Sequence, residues 1–176
     1  MIRIILADDH AVIRRGLRLV LEQQKDFEVV GEASDGRGAV NLAETAKPDI
    51  AVLDITMPNL NGIEAAHQIS AKQIGVSTIV LSMHADESFV LRALKAGARG
   101  YLLKESAEGD LINAVRLVSG RQVLLQSDGQ PNAGGGLRPA AAGQGYRGQL
   151  RLANTSRTRA AATHRGGRAI RKWPTC

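Results

Sequence analysis

Over residues 1–123, short apolar runs alternate with stretches of helical spacing. The runs at 2–7, 28–31, 50–53, 78–81 and 100–103 are brief and mostly β-branched, which predicts strands buried on both faces of a parallel sheet. Between them, apolar residues recur at three- and four-residue intervals. Val12, Leu17, Val20 and Leu21 form one face; Ala39, Leu42, Ala43 and Ala46 form another. Ile63, Ala66, His67 and Ile69 make a third. Val90, Leu91 and Leu94, then Leu111, Ala114, Val115 and Val118, supply two more. Lys47-Pro48-Asp49 ends the second helix and launches the third strand. Five strand–helix pairs in this order predict a right-handed, doubly wound α/β fold on a five-stranded parallel sheet.

The pattern collapses after Val123. Residues 126–148 are rich in Gly, Ala, Gln and Pro, and residues 151–176 in Arg, Ala and Thr, with hardly any periodic apolar face. Such a composition cannot bury enough apolar surface to offset its ordering entropy, so residues 124–176 are expected to be a disordered basic tail behind a domain at 1–123. The charge divides at the same place. The net charge of +6 splits into −2 for residues 1–123 and +8 for residues 124–176, so basicity describes the tail and not the domain. Aromatics are 3% of the chain, too few for a base-stacking surface. No apolar run approaches the roughly 20 residues of a membrane helix. The opening run meets Asp8 and Asp9 too soon for a signal peptide, and the single cysteine, Cys176, excludes a disulfide framework or a Cys-based metal site. A cytoplasmic protein without membrane attachment is the expectation.

The chemistry gathers at strand ends. In a parallel α/β sheet, reactive side chains collect at the carboxyl edge near the switch in strand order. Asp8 and Asp9 follow the first strand, Asp54 ends the third, Ser82 the fourth and Lys104 the fifth. Taken singly, Asp8-Asp9 reads as helix capping, Lys104 as a solvated lysine and Ser82 as a turn former. Together they place three carboxylates, a hydroxyl and an ammonium on one rim. Clustered carboxylates repel unless a cation sits among them, and oxygen donors select a hard ion, Mg²⁺. Asp54 would then be a nucleophile toward a phosphoryl group, with Lys104 and the ion neutralising its oxygens and Ser82 donating a hydrogen bond.

These residues and their neighbours, Ala7-Asp8-Asp9-His10, the run from Lys47 to Pro58, Asn61-Gly62, and Gly97 to Lys104, resemble a response-regulator receiver domain over residues 1–123. The resemblance implies a flavodoxin-like sheet of order 2-1-3-4-5. It makes Asp54 the phosphoacceptor, fed by a sensor histidine kinase. It makes Asp9 a direct metal ligand, Asp8 a partner acting through water, and the Thr56 backbone carbonyl a third ligand. Ser82 and Lys104 would hold the phosphoryl group, and Tyr101 would be the aromatic that follows the strand-four hydroxyl. Lys104-Glu105-Ser106 is similar to the NarL/FixJ type, whose output is a LuxR-type helix-turn-helix, with the first and fifth helices as homodimer surfaces. Nothing after Val123 reads as that output, so specific DNA binding is not expected of this chain.

Codon arithmetic offers a reason. Read one base later, residues 153–167 can encode Leu-Thr-Pro-Arg-Glu-Arg-Glu-Leu-Leu-Gln-Leu-Ile-Ala-Glu-Gly, similar to the opening of a LuxR-type domain. Residues 124–131 can spell Tyr-Phe-Ser-Pro-Thr-Val-Ser-Arg, similar to the family's linker, and residues 168–175, shifted once more, also resemble its continuation. The tail therefore reads as an out-of-frame remnant of linker and helix-turn-helix. Two other function classes fit the sequence less well. A phosphohydrolase using an aspartyl-phosphate needs an acid two residues after the nucleophile, and position 56 is Thr, so no enzyme is expected. Scattered tail arginines would bind nucleic acid only non-specifically and in a salt-dependent way.

Overall fold

The apolar runs become strands because most of their positions, and all of those in 50–53, are apolar on both sides of the pleat, which a sheet covered on both faces satisfies. The computed structural model describes residues 1–125 and 139–140. The elements follow in the order β1 (Ile2–Ala7), α1 (Ala11–Glu22), β2 (Phe27–Ala33), α2 (Gly36–Ala46), β3 (Ile50–Asp54), α3 (Gly62–Ala71), β4 (Ser77–Ser82), α4 (Glu87–Lys95), β5 (Gly100–Leu103) and α5 (Ala107–Ser119). Two short strands follow, β6 (Val123–Leu125) and β7 (Pro139–Ala140). The sheet order is β2-β1-β3-β4-β5-β6-β7, parallel through β6, with β7 antiparallel at the edge.

Alternation along the strands sorts the core into two layers. Ile4 and Leu6 of β1, Ile50 and Val52 of β3, Ile79 and Leu81 of β4 and Leu102 of β5 pack with α1 and α5 residues such as Leu17, Leu21, Leu111 and Val115. Their neighbours Ile5, Ala7, Ala51, Leu53, Val80 and Tyr101 pack on the other face with α2, α3 and α4. The helices begin where side chains can satisfy free N–H groups. Asp35 accepts from Gly38 N at 2.8 Å, Asn61 from Glu64 N at 2.9 Å and Asp86 from Ser88 N at 2.7 Å.

The five parallel strands stand in the expected order, and two short strands extend the sheet: β6 runs to Leu125, past the expected domain end at Val123, and its Leu124 is buried opposite Gly100. Two side-chain placements are corrected. Val12 is 84% exposed, and His67 is exposed as well, so neither belongs to the apolar stripe to which its spacing assigned it. The α1 stripe is carried by Leu17 and Leu21, and that of α3 by Ile63, Ala66 and Ile69 together with Ala65. The disordered tail expected from composition lies, apart from Leu124, Leu125, Pro139 and Ala140, outside the described residues.

Candidate functional site

The strand order doubles back between β1 and β3, which lie side by side with their carboxyl ends together. Asp8 leaves β1 held by its own backbone, its N–H donating to the Ala33 carbonyl of β2 at 3.2 Å. Asp54 closes β3 inside the sheet. The chain can turn away from it because Gly62 begins α3 directly against the Asp54 carbonyl, where any Cβ would collide with that carbonyl. Both carboxylates are buried, Asp8 at 1% and Asp54 at 2% exposure.

Lys104, one residue past β5, reaches both. Its Nζ lies 2.9 Å from Asp8 Oδ2 and 2.8 Å from Asp54 Oδ2. Burial acts to lower the Lys104 pKa, but its hydrogen bonds to Asp54 and Asp8 prevail and hold it above the ordinary lysine value. Burial pushes the Asp54 carboxyl up, and the nearby Asp8 charge adds to that, so the Lys104 ammonium does not fully offset the cost of the charged form. The Thr56 N–H also hydrogen-bonds to Asp54, and Thr56 itself is exposed in the loop beyond β3.

Asp9 is exposed and close to Asp8. His10 joins the group: its Nδ1 is 2.7 Å from Asp9 Oδ1 and 3.5 Å from Asp8 Oδ1, and its N–H donates to Asp8 Oδ1 at 2.8 Å. One ligand atom from each of Asp8, Asp9, His10 and Asp54 fits within 4.8 Å of the others. Helix capping does not explain the acidic pair, because His10 is the residue at the N-cap of α1 and no side chain caps that helix. Three carboxylates against one ammonium leave the pocket two charges negative, which suits one divalent cation, and the carboxylate-rich donor set suits a hard one. The His10 side chain, 64% exposed, can move aside from Asp9.

Ser82 and Tyr101 meet around the main chain of one residue. Ser82 is buried, and its Oγ accepts the His84 N–H at 2.9 Å. Tyr101 is wholly buried; its hydroxyl donates to the His84 carbonyl at 2.6 Å and also shares a hydrogen bond with Ser82. Burial raises the Tyr101 pKa and keeps the phenol neutral. The His84 ring stacks on Phe89 of α4, centroids 5.1 Å apart, and Arg92 lies over Phe89 at 5.7 Å. A groove of about 570 Å³ between α3 and α4, lined by Leu60, Ile63, His67, Arg92 and Lys95, lies apart from the carboxylates.

Asp8, Asp9, Asp54, Ser82 and Lys104 therefore lie at the carboxyl ends of their strands, while Tyr101 sits within β5 and reaches His84 through its hydroxyl. Sequence reasoning missed His10, whose signal was its place directly after two aspartates, and His84, which acts through its backbone and leaves no signal in a side chain.

Comparisons with known proteins bear on the family and the fold. The family model described as response regulator receiver domain matches residues 4–116. The chain is 44% identical over 118 residues to transcriptional regulatory protein DegU of Brevibacillus brevis, covering 67% of this chain and 50% of that one. It is 42% identical over 127 residues to transcriptional regulatory protein LiaR of Bacillus subtilis (strain 168), covering 72% of this chain and 60% of that one. It thus spans about half to three-fifths of these curated relatives. Among solved structures, a LuxR-family two-component response regulator from Aurantimonas sp. SI85-9A1 superposes with a TM-score of 0.68 at 34% identity, over 73% of this chain and 91% of that one. The isolated receiver domain of RcsB from Salmonella enterica serovar Typhimurium, solved with a phosphomimetic, gives 0.65 at 27% identity, over 71% of this chain and 93% of that one.

Proposed function

Because the chain belongs to the response regulator receiver domain family, the receiving module of two-component signalling, we propose that it is switched by phosphorylation of Asp54 by a sensor histidine kinase. The observation that carries this reading is the Lys104 ammonium set between Asp8 and Asp54, in a pocket still short of positive charge. An Asp54 oxygen forms a bond to phosphorus as the bond from phosphorus to the donor nitrogen breaks, and the donor imidazole leaves with that electron pair. Lys104 neutralises the incoming oxygens, and the Ser82 hydroxyl, whose lone pair takes the His84 N–H, turns its proton from the Tyr101 oxygen to donate to one of them.

Mg²⁺ would be held by Asp9, Asp54 and the Thr56 carbonyl, with Asp8 acting through water. When bound it supplies charge neutralisation for the phosphate oxygens. Movement of Ser82 toward the phosphoryl group pulls on His84, and through it on Tyr101 and the Phe89 ring of α4. The surface around α4 and β5 is then the output, and α1 and α5 are the faces for a second copy. No described helix is long and apolar enough to cross a membrane.

With Mg²⁺ and acetyl phosphate the protein should gain one phosphoryl group, read as an intact-mass increment, and Asp54→Asn should abolish it. Undiminished labelling of that variant would place the acceptor elsewhere. The relatives' further length and the shifted-frame strings together support the remnant reading of residues 124–176, with the parent a DNA-binding transcriptional regulator. Gene codons incompatible with those strings would refute it.

A further inference from the structure

We infer that Arg14 is a positioning residue for the acidic pocket: it fixes the peptide between Asp8 and Asp9 so that the Asp9 carboxylate faces a divalent cation. This rests on the reading of the pocket given above and adds a residue to it. Arg14 lies in the first turn of α1, and its guanidinium folds back over the β1–α1 loop. Its Nη1 donates to the Asp8 carbonyl at 2.6 Å, and its Nε to Glu32 Oε2 at 2.9 Å. Glu32 stands on β2 opposite Leu6, and its other oxygen takes Arg18 Nη1 at 2.7 Å. The fork is therefore anchored on a neighbouring strand and aimed at one main-chain oxygen.

That oxygen belongs to the Asp8–Asp9 peptide unit, which is planar, so pinning it sets the direction in which Asp9 departs. The rest of Asp8 is already occupied: its N–H by Ala33, Oδ1 by the His10 N–H and Oδ2 by Lys104. Asp9, by contrast, is partly exposed and paired with the exposed His10 side chain, so its aim depends on the backbone beneath it.

Two effects of Arg14 oppose each other. Its charge would repel a cation, whereas its fork holds the ligand in place. Glu32 neutralises the charge at 2.9 Å, so positioning governs. The two effects predict opposite signs for removal.

Calorimetric titration of the full chain with Mg²⁺ decides between them, with melting temperatures of the metal-free proteins as a check on folding. Arg14→Ala should weaken binding at least about 10-fold, the scale of outer contacts to metal ligands. Arg14→Lys keeps the charge, and so the pairing with Glu32, but loses the two-pronged fork, and should weaken binding comparably. Arg18→Ala removes ion pairs to the same Glu32 without touching Asp8 and should stay within about twofold, well below the range for such contacts. Unchanged or tighter binding by Arg14→Ala, an unaffected Arg14→Lys, or an equal loss in Arg18→Ala overturns the inference. If the unaltered protein takes up no Mg²⁺, or Asp9→Asn takes it up undiminished, the reading of the pocket itself fails, and the role of Arg14 fails with it.

Discussion

Lys104 is the residue on which the pocket turns. A single ammonium, itself 10% exposed in its side chain, sits between two buried carboxylates and pairs with both. Lys104→Ala should cost about 3 kcal/mol in the absence of metal, because it leaves buried charge uncompensated. Thermal melts should then show added Mg²⁺ restoring more stability to this variant than to the unaltered protein. Equal gains in both would mean that the ion binds elsewhere. Asp8, Asp54, Ser82 and Lys104 were legible in the sequence because each ends a strand, and parallel strands bring their ends to one edge. Arg14 and His84 were not. Arg14 acts through a side chain that reverses direction, and His84 through its peptide, and neither is visible in residue type or spacing.

At the scale of elements, α1 is tied to β2 by the pairs of Arg14 and Arg18 with Glu32. The Arg18 hydrogen bond, then that of Arg14, holds the Glu32 carboxyl below its ordinary value against the opposing effect of burial. A depressed carboxylate pKa stabilises the folded state above the unfolded pKa, about 4.3, and the contribution is lost as pH falls through the lower folded value. Glu32→Gln should remove this loss. Between about pH 5 and 3 its stability should fall less steeply than that of the unaltered protein, by about 0.5–1 kcal/mol for so exposed a pair. Parallel chemical-denaturation curves across that range measure it, and identical slopes would exclude the pairs as a source of acid sensitivity. The elements themselves were readable from alternating periodicities. Their edges were not, since spacing identifies an apolar stripe but not its centre, so Val12 and His67 were drawn into faces that exclude them.

For the whole molecule, the two-layer core fixes where the domain ends. Leu124 belongs to the layer shared with α5, a fact hidden in the sequence because β6 is three residues long and follows the polar Gly120-Arg121-Gln122. Deleting residues 126–176 should change stability by less than about 1 kcal/mol, since among the described residues both core layers are built from residues up to Leu125. Deleting residues 124–176 should cost about 2–3 kcal/mol more, the worth of a buried leucine. Equal denaturation midpoints for the two truncations would show that β6 contributes nothing.

The Ser82 and Tyr101 hydroxyls both engage residue 84 through its peptide and not through its imidazole. A library randomised at position 84 would thus preserve the linkage in almost every member, failing only at proline, which lacks the N–H. Randomising position 101 would break it everywhere except tyrosine. Changes at codon 84 thus replace the ring that stacks on Phe89 of α4 while leaving the hydrogen bonds of Ser82 and Tyr101 to its main chain in place.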